Sequence, residues 1–421
     1  MILEKERAVA GDPDESGSFG KAGYSMISDR MENILESGKS MAELFTAGDR
    51  LAKRFGAENV YNFSIGNPNV PAPQSVKETI IDITQNMPET ALHSYTKPEG
   101  IPDVRKAIAE HDREKFGVDL TEKNIFMVAG AAAGLNAIFL TLLDEGDEVI
   151  VPSPYFTEYD AYAASCGAHT IAVPTKPETF DLDVDEIKKA ITRRTKIVLI
   201  NTPNNPTGVI YSEQSLRDLA EVLNEKNKDL GIDIALVSDE PYRELAYAGT
   251  AVPFIPKFYD NTIISYSFSK SLSLPGERIG YVTVPDSVTD FGKVTEGLGT
   301  ACRILFVNAP SLIQRVAGVC IKDACDVEYY ERNRDALYEG LKEIGYECVV
   351  PQGAFYLWLK TPVEDDREFA KKAEDYQIVI VPGSAFKGPG YVRISFCVAY
   401  ETIIAALPKF KELYDDIKSG K

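Results

Sequence analysis

Apolar positions change their period twice along this chain. From Ile27 to Phe55 they recur at helical spacing, as at Met41, Leu44, Phe45 and Leu51, which predicts helices; YNFSIGNPNVPAP (61–73) then breaks into a loop punctuated by Pro and Gly. Between residues 125 and 285 short, almost continuously apolar runs appear: IFMVA (125–129), EVIVP (148–152), HTIAV (169–173), IVLIN (197–201), IALVS (234–238), TIISYS (262–267) and IGYVTV (279–284). Helical segments such as GLNAIFLTLL (134–143), VDEIKKAIT (184–192) and SLRDLAEVLNEK (215–226) separate them. Strands apolar on both faces need cover on both sides, so the pattern predicts a mostly parallel seven-stranded sheet clothed in helices. Ligands of such sheets gather at the carboxyl ends of the strands. After about residue 303 longer helices appear at 327–345 and 367–376, interleaved with strands at FYLWL (355–359) and YVRISF (391–396).

The fold class is therefore α/β, a large domain with a mostly parallel sheet plus a smaller α+β domain. We expect a flexible leader over 1–24, N-terminal helices over 25–60 joining the small domain, a large domain over 61–302 and the small domain over 303–421. The 421 residues agree, since about 150 per domain gives two to three units. With 44% hydrophobic and 26% charged residues the chain has material for a substantial core, which excludes disorder. The net charge of −19 repels phosphate backbones and anionic lipid, so neither nucleic acid nor membrane is an expected partner. Six cysteines form no CxxC and the histidines, His93, His111 and His169, are scattered, so no metal site is expected. No apolar run approaches the ~18 residues of a membrane span, and the first residues lack a signal-peptide core. The expected setting is cytoplasmic.

Three successive strands end in polar residues. IVLIN leads to Asn205-Pro206-Thr207-Gly208, IALVS to Asp239 with Tyr242 three residues on, and TIISYS to Lys270, with Arg278 eight residues later. Taken singly, these read as turn chemistry, a helix cap and a solvated lysine. A lysine emerging at the sheet's carboxyl edge is, however, placed where it can form a Schiff base.

The ordered set Asn-Pro-Thr-Gly, Asp-x-x-Tyr and Ser-x-Ser-Lys, with Arg eight residues beyond, resembles the class I and II aminotransferases, the fold-type I pyridoxal-phosphate enzymes, from about Tyr61 to Phe396. The resemblance implies pyridoxal 5'-phosphate as cofactor and a role for each matching residue. Lys270 would hold the cofactor and shuttle the substrate's α-proton; Asp239 would pair with the pyridine nitrogen; Tyr242 and Asn205 would donate to its phenolic oxygen. Gly130 and the N–H groups of Ala131 and Ala132, opening a helix, would cradle the phosphate with Ser267 and Arg278. The Ser or Thr hydroxyl that the family often adds to that turn is absent. Phe156 would stack on the ring, with Tyr155 as the fallback. Tyr95, in Tyr95-x4-Gly100-x4-Arg105, matches a tyrosine that reaches the neighbouring subunit's phosphate, which implies a homodimer with shared active sites.

For substrate, Arg393 would grip the α-carboxylate as a bidentate fork, with Asn205 and the backbone of Gly66 beside it. Arg303, five residues before Asn308, stands where aspartate-type members place an arginine for a distal carboxylate of the partner's substrate. Ala132 occupies the position at which a bacterial subgroup uses a lysine for that purpose. The resulting expectation is a ping-pong aminotransferase acting on an L-amino acid of the aspartate or glutamate type and a 2-oxo acid such as 2-oxoglutarate. A carbon–sulfur β-lyase on the same scaffold is the alternative, because its early steps are shared. A regulator reusing the domain would need a basic DNA-binding module, and residues 1–60 lack one. A nucleotide enzyme would need GxGxxG or GxxxxGK[ST] after a strand, and none occurs.

Overall fold

The structure, a computed structural model, describes residues 26–420, with the side chains of 33 and 36–46 outside that description. The leader expected over 1–24 lies outside the described residues. The chain enters through helix α1 (Asp29–Phe55) and strand β1 (Tyr61–Asn62), then helices α2 (Gln74–Asn86), α3 (Glu89–Leu92) and α4 (Pro102–Phe116). Strand β2 (Ile125–Val128) opens an alternation: α5 (Ala131–Leu142), β3 (Glu148–Ser153), α6 (Glu158–Ser165), β4 (His169–Pro174), α7 (Val184–Ala190), β5 (Thr195–Asn201), α8 (Glu213–Leu230), β6 (Ala235–Asp239) and β7 (Thr262–Ser267). There follow α9 (Phe268–Ser271), β8 (Gly280–Thr283), α10 (Phe291–Phe306), α11 (Ser311–Val319) and α12 (Val327–Ile344). The last part holds β9 (Glu347–Val349), β10 (Tyr356–Lys360), α13 (Asp366–Ala373), β11 (Ile378–Val379), β12 (Val381–Pro382), β13 (Tyr391–Ser395) and α14 (Tyr400–Lys418).

The sheet has the seven strands the apolar runs predict, in the order β2-β8-β7-β6-β5-β3-β4. Strands β7, β6, β5, β3 and β4 run parallel, and β8 is antiparallel to both β2 and β7. Alternate side chains of one strand serve opposite cores. Val149 and Val151 of β3 pack with Leu135, Phe139 and Tyr159 under α5 and α6, whereas Ile150 packs with Val198, Leu216 and Leu219 under α7 and α8. This two-sided burial explains why the runs read as continuously apolar. The order also sets β5, β6 and β7 side by side, so the ends bearing Asn205, Asp239 and Lys270 are neighbours.

A second sheet, β12-β13-β10-β9, is antiparallel and covered by α12 and α14, with Tyr330, Leu337, Phe355, Leu357, Ile394 and Phe410 in its core. Strand β1 pairs in parallel with β11, and the backbone continues from there: Phe63 donates to Val379 at 2.9 Å and Ser395 to Phe63 at 2.9 Å. The segment 61–66 is thereby tied to the small layer.

Two expectations need correction. The helices foreseen over 25–60 are one long helix, α1, which bridges both layers: Leu51 packs with Val379 and Arg50 pairs with Glu374 at 2.7 Å, while Arg30 donates to the Ser165 carbonyl on α6 at 3.0 Å. The division expected between 302 and 303 falls inside α10. Cys302 belongs to the core under α5 and Cys320 to the core under α4, and beyond α10 the chain enters the small-layer core only at Cys325. α10 and α11 carry enough apolar surface to stay with the large sheet, so the core changes some twenty residues later than the sequence pattern suggests. Helices α2, α4 and α6 were not foreseen at all; α4 is rich in charged residues, so its apolar stripe, Val104, Ile108 and Ala109, is narrow.

Candidate active site

Lys270 sits in α9, a single turn capped by Ser267, whose Oγ accepts from the Ser269 N–H at 3.2 Å. Its Nζ donates to the Gly66 carbonyl at 2.9 Å and lies 5.2 Å from the centre of the Phe355 ring. Burial pushes its pKa down to about 8, against the influence of Cys397, and the charges of Arg278 and Arg393 push the same way as burial. The amine is therefore closer to its nucleophilic, neutral form than a surface lysine.

Asp239 closes β6. Its Oδ2 accepts from the Tyr159 hydroxyl at 2.6 Å, whereas Oδ1 is buried with no hydrogen-bond partner among the described residues. Burial raises its pKa to about 7, with Tyr159 acting in the opposite direction. An unpartnered buried carboxylate oxygen is costly, and it leaves this face able to accept one more donor. Asn201, one register position across on β5, fixes the neighbourhood: its Nδ2 donates to the Asp239 carbonyl at 2.8 Å and its Oδ1 accepts from the Asn205 N–H at 2.7 Å.

At the head of α5, Gly130 has φ +82°, and a Cβ there would run into the guanidinium of Arg278, nearest atom 2.7 Å away. Glycine is required by both counts. The first N–H groups of a twelve-residue helix, those of Ala131 and Ala132 among them, lack intrahelical partners and point out beside that guanidinium. Arg278 Nη1 lies 3.4 Å from Ser269 Oγ, which is 2.7 Å from Ser267 Oγ. Two hydroxyls, free amides and a cation thus meet at one point.

On the other side, Arg393 of β13 is buried. Nη1 donates to Asn205 Oδ1 at 3.0 Å and Nη2 to the Ser64 carbonyl at 2.6 Å; Nε is buried without a partner. The rings of Tyr356 and Phe386 lie 4.5 and 4.7 Å from the guanidinium carbon. Among the described residues no carboxylate comes within 4.0 Å of it. The Tyr242 hydroxyl bonds the Tyr356 hydroxyl at 2.9 Å. A Cβ on Gly66 would collide with that same Tyr356 hydroxyl.

Residues 58–408 match the family described as Aminotransferase class I and II. The chain belongs to that family. It is 31% identical to the aspartate aminotransferase of Thermotoga maritima, over 92% of this chain and 99% of that one. Among solved structures it is similar to an amino transferase of Eubacterium rectale, with TM-score 0.91 and 42% identity over 93% of this chain and 99% of that one. It is also similar to the aspartate aminotransferase of Thermus thermophilus with maleate, TM-score 0.82 and 28% identity over 93% and 100%.

In this aminotransferase Lys270 bonds the Gly66 carbonyl, Arg393 reaches Asp239 through Asn205 and Asn201, and Tyr242 and Arg393 both lie against Tyr356, while Ser267 and Arg278 meet at Ser269 beside Gly130. Phe156 is half-buried, edge-on to Tyr159 with ring centres 5.7 Å apart. Tyr155 is buried and bonded to Asp160 at 2.8 Å, so of the two aromatics Phe156 is the one left with an open face. Two expected residues stay out of the cluster: Tyr95 is 87% exposed, and Arg303 is exposed in the last turn of α10. Ala132 offers only its backbone.

Several contributors went unseen in sequence, Asn201 at the end of β5 among them. Ser269 lay inside Ser-x-Ser-Lys and was readable there. Tyr159 stands three residues after Phe156, on the first turn of α6, where helical spacing turns it towards the sheet end. Tyr356 and Phe386 carry no local signal: the pairing of β10 with β13 brings Tyr356 to Arg393, and Phe386 reaches it from the turn between β12 and β13.

Proposed function

We propose that this aminotransferase binds pyridoxal 5'-phosphate at Lys270 and moves the amino group of a dicarboxylic L-amino acid, aspartate or glutamate, to a 2-oxo acid such as 2-oxoglutarate. The observation that carries the reading is the unpartnered Oδ1 of buried Asp239 at the end of β6, which suits a pyridinium N–H. The cradle of Gly130, Ala131, Ala132, Ser267, Ser269 and Arg278 fits a phosphate in charge and in hydrogen-bond sense. When bound, the cofactor supplies an electron sink for the bond broken at the substrate's α-carbon.

The chain's residues do the rest. Asp239 holds a positive charge on the ring nitrogen. Lys270, with its lowered pKa, is suited to take a proton from the substrate's α-carbon and to give it back two bonds away, as a 1,3 shift requires. Tyr242 and Asn205 present donors at the phenolic side, and the half-buried ring of Phe156 supports stacking. Arg393 offers the α-carboxylate a guanidinium with no carboxylate of the described residues against it, and Gly66 leaves room where a side chain would strike Tyr356. The aspartate-named relatives, and the dicarboxylate maleate named with the Thermus thermophilus enzyme, support an acidic substrate.

The reading includes a homodimer in the cytoplasm. Tyr95 projects into solvent, and Ile304, Leu305 and Val307 are exposed around Arg303, with Ile304 at 64%. Such a patch suits a second copy that receives Tyr95 and Arg303 into its own site. Among the described residues no helix is long and apolar enough to cross a membrane.

The test is reconstitution. The loaded protein should absorb in the visible, and borohydride should fix the cofactor on the peptide containing Lys270. Lys270→Ala should lose that linkage and about 10^4-fold in turnover. Glutamate formed from an amino acid and 2-oxoglutarate identifies transamination; pyruvate and ammonia would instead identify a β-lyase.

A further inference from the structure

Behind the site lies a buried charge cluster that none of these roles uses. Arg243 is 4% exposed. Its Nη1 donates to Glu240 Oε2 at 3.2 Å, Nη2 lies 3.6 Å from Asp112 Oδ1, and Nε lies 3.5 Å from Glu244 Oε1. Nη2 also donates to the hydroxyl of Tyr281, which in turn donates to Asp112 Oδ2 at 3.1 Å. The guanidinium carbon is 4.3 Å from the centre of the Tyr266 ring, and the Tyr266 hydroxyl donates to Ser271 Oγ at 2.8 Å. Glu240 itself is fully engaged: Oε1 accepts from Ser238 Oγ at 2.8 Å, and its N–H donates to the Ser265 carbonyl at 2.8 Å.

The places these partners occupy matter more than their number. Glu240 and Arg243 alternate along the chain with Asp239 and Tyr242. Tyr281 is three residues from Arg278. Ser271, held by Tyr266, is the neighbour of Lys270. One planar cation therefore touches each of the three segments that carry the cofactor-holding residues, and Asp112 ties two of them, through Arg243 and Tyr281, to α4. Stability alone does not account for this arrangement, because a buried ion cluster replaced by apolar side chains of similar volume is often as stable or more so. A guanidinium with directional donors does supply what apolar packing lacks, a fixed spacing between strand ends.

We propose that Arg243, with Glu240, Asp112 and Tyr281, is the positioning device of this active site: it sets the separation of Asp239, Lys270 and Arg278 from the reverse face of the sheet. The inference rests on the cofactor reading above. Its residues touch neither cofactor nor substrate, so they act through the three that do.

The test compares Tyr281→Phe, Arg243→Lys and Glu240→Gln with the wild type, each as the full chain. Three quantities are measured: the dissociation constant for pyridoxal phosphate by titration of the cofactor-free protein, the pH midpoint of the visible band in the loaded protein, and kcat and KM separately. Arg243→Lys and Tyr281→Phe should weaken cofactor binding and lower kcat on the order of tenfold each, with KM for the amino acid within about twofold, since displacing a positioned group by a fraction of an ångström is felt in the chemistry. The band midpoint should move in both. Glu240→Gln should retain more, because the amide oxygen can still accept from Ser238. If Arg243→Lys does not fold, Tyr281→Phe, which deletes one hydroxyl, decides alone. Melting temperatures that fall while dissociation constant, midpoint and kcat stay at wild-type values would overturn the proposal. A wild-type protein that binds no pyridoxal phosphate would instead overturn the reading of the site.

Discussion

Asp239 and Glu240 are adjacent at the end of β6, both buried, and burial raises both to about 7. They differ in what surrounds them. Asp239 has one hydrogen bond, from Tyr159, and an oxygen with nothing to meet; Glu240 has Ser238 on one oxygen and Arg243 on the other. Successive residues of an extended strand face opposite sides, so one backbone presents an unfinished face to the site and a finished one to the interior. Burial and pKa alone do not separate a ligand-binding carboxylate from an architectural one. The completeness of its hydrogen bonds does.

Asp239→Asn attacks the unfinished face and should have the largest effect of the variants that keep Lys270. Replacing the charge opposite the ring nitrogen should cost on the order of 10^3-fold in kcat. The same variant should stabilise the cofactor-free protein at pH 8. The sign follows from linkage: with its pKa raised to about 7 in the folded state, Asp239 keeps a proton that the unfolded chain has already released, so stability falls as pH rises from about 4 to 7 and the penalty is complete above that. Asparagine removes a cost on the order of a few kcal/mol. Melting scans of the cofactor-free protein from pH 4 to 8 check this, with Glu240→Gln as the contrast. That variant should bring no gain, because it takes from Arg243 a partner it needs. If both substitutions move stability in the same direction, the distinction between the two faces is wrong.

Arg393→Lys sharpens the comparison on the small-layer side. A lysine keeps the charge but loses the fork and the contact with Tyr356 and Phe386, so KM for amino acids should rise about 10- to 100-fold with a smaller change in kcat. Arg303→Ala should act more selectively, lowering kcat/KM about tenfold for aspartate and glutamate and leaving apolar donors unchanged. An equal loss on all donors would remove Arg303 from substrate recognition and leave it a role between subunits. Tyr159→Phe should be mildest. It deletes the one bond the Asp239 carboxylate has, which lets that carboxyl pKa rise further; kcat should fall about fivefold and the acid limb of its pH profile should move upward.

The strands were legible because their signal is local: each of the seven runs is rich in apolar residues, and each observed strand begins or ends within two residues of its run. The strand-end motifs were legible for the same reason, since Lys270, Asp239 and Asn205 each follow directly or nearly so on a run. The edge of the small layer was not legible, because α10 and α11 look like any amphipathic helices and only packing assigns them to the large sheet. α4 was hidden by its charged residues, although its Asp112 is among the most deeply buried carboxylates of the described chain.

By itself, then, the amino-acid order determined the α/β class, the number of sheet strands and the identity of the polar residues at three of their ends, because these depend on periodicity and on neighbours along the chain. Only the tertiary structure decided that β5, β6 and β7 lie side by side, that Tyr159 reaches Asp239 across 80 residues, that Arg393 finds Asn205 across 188, and that Arg243 stands behind the segments that carry Asp239, Lys270 and Arg278. Contacts of that separation depend on strand order and layer packing, and nothing in a local pattern records them.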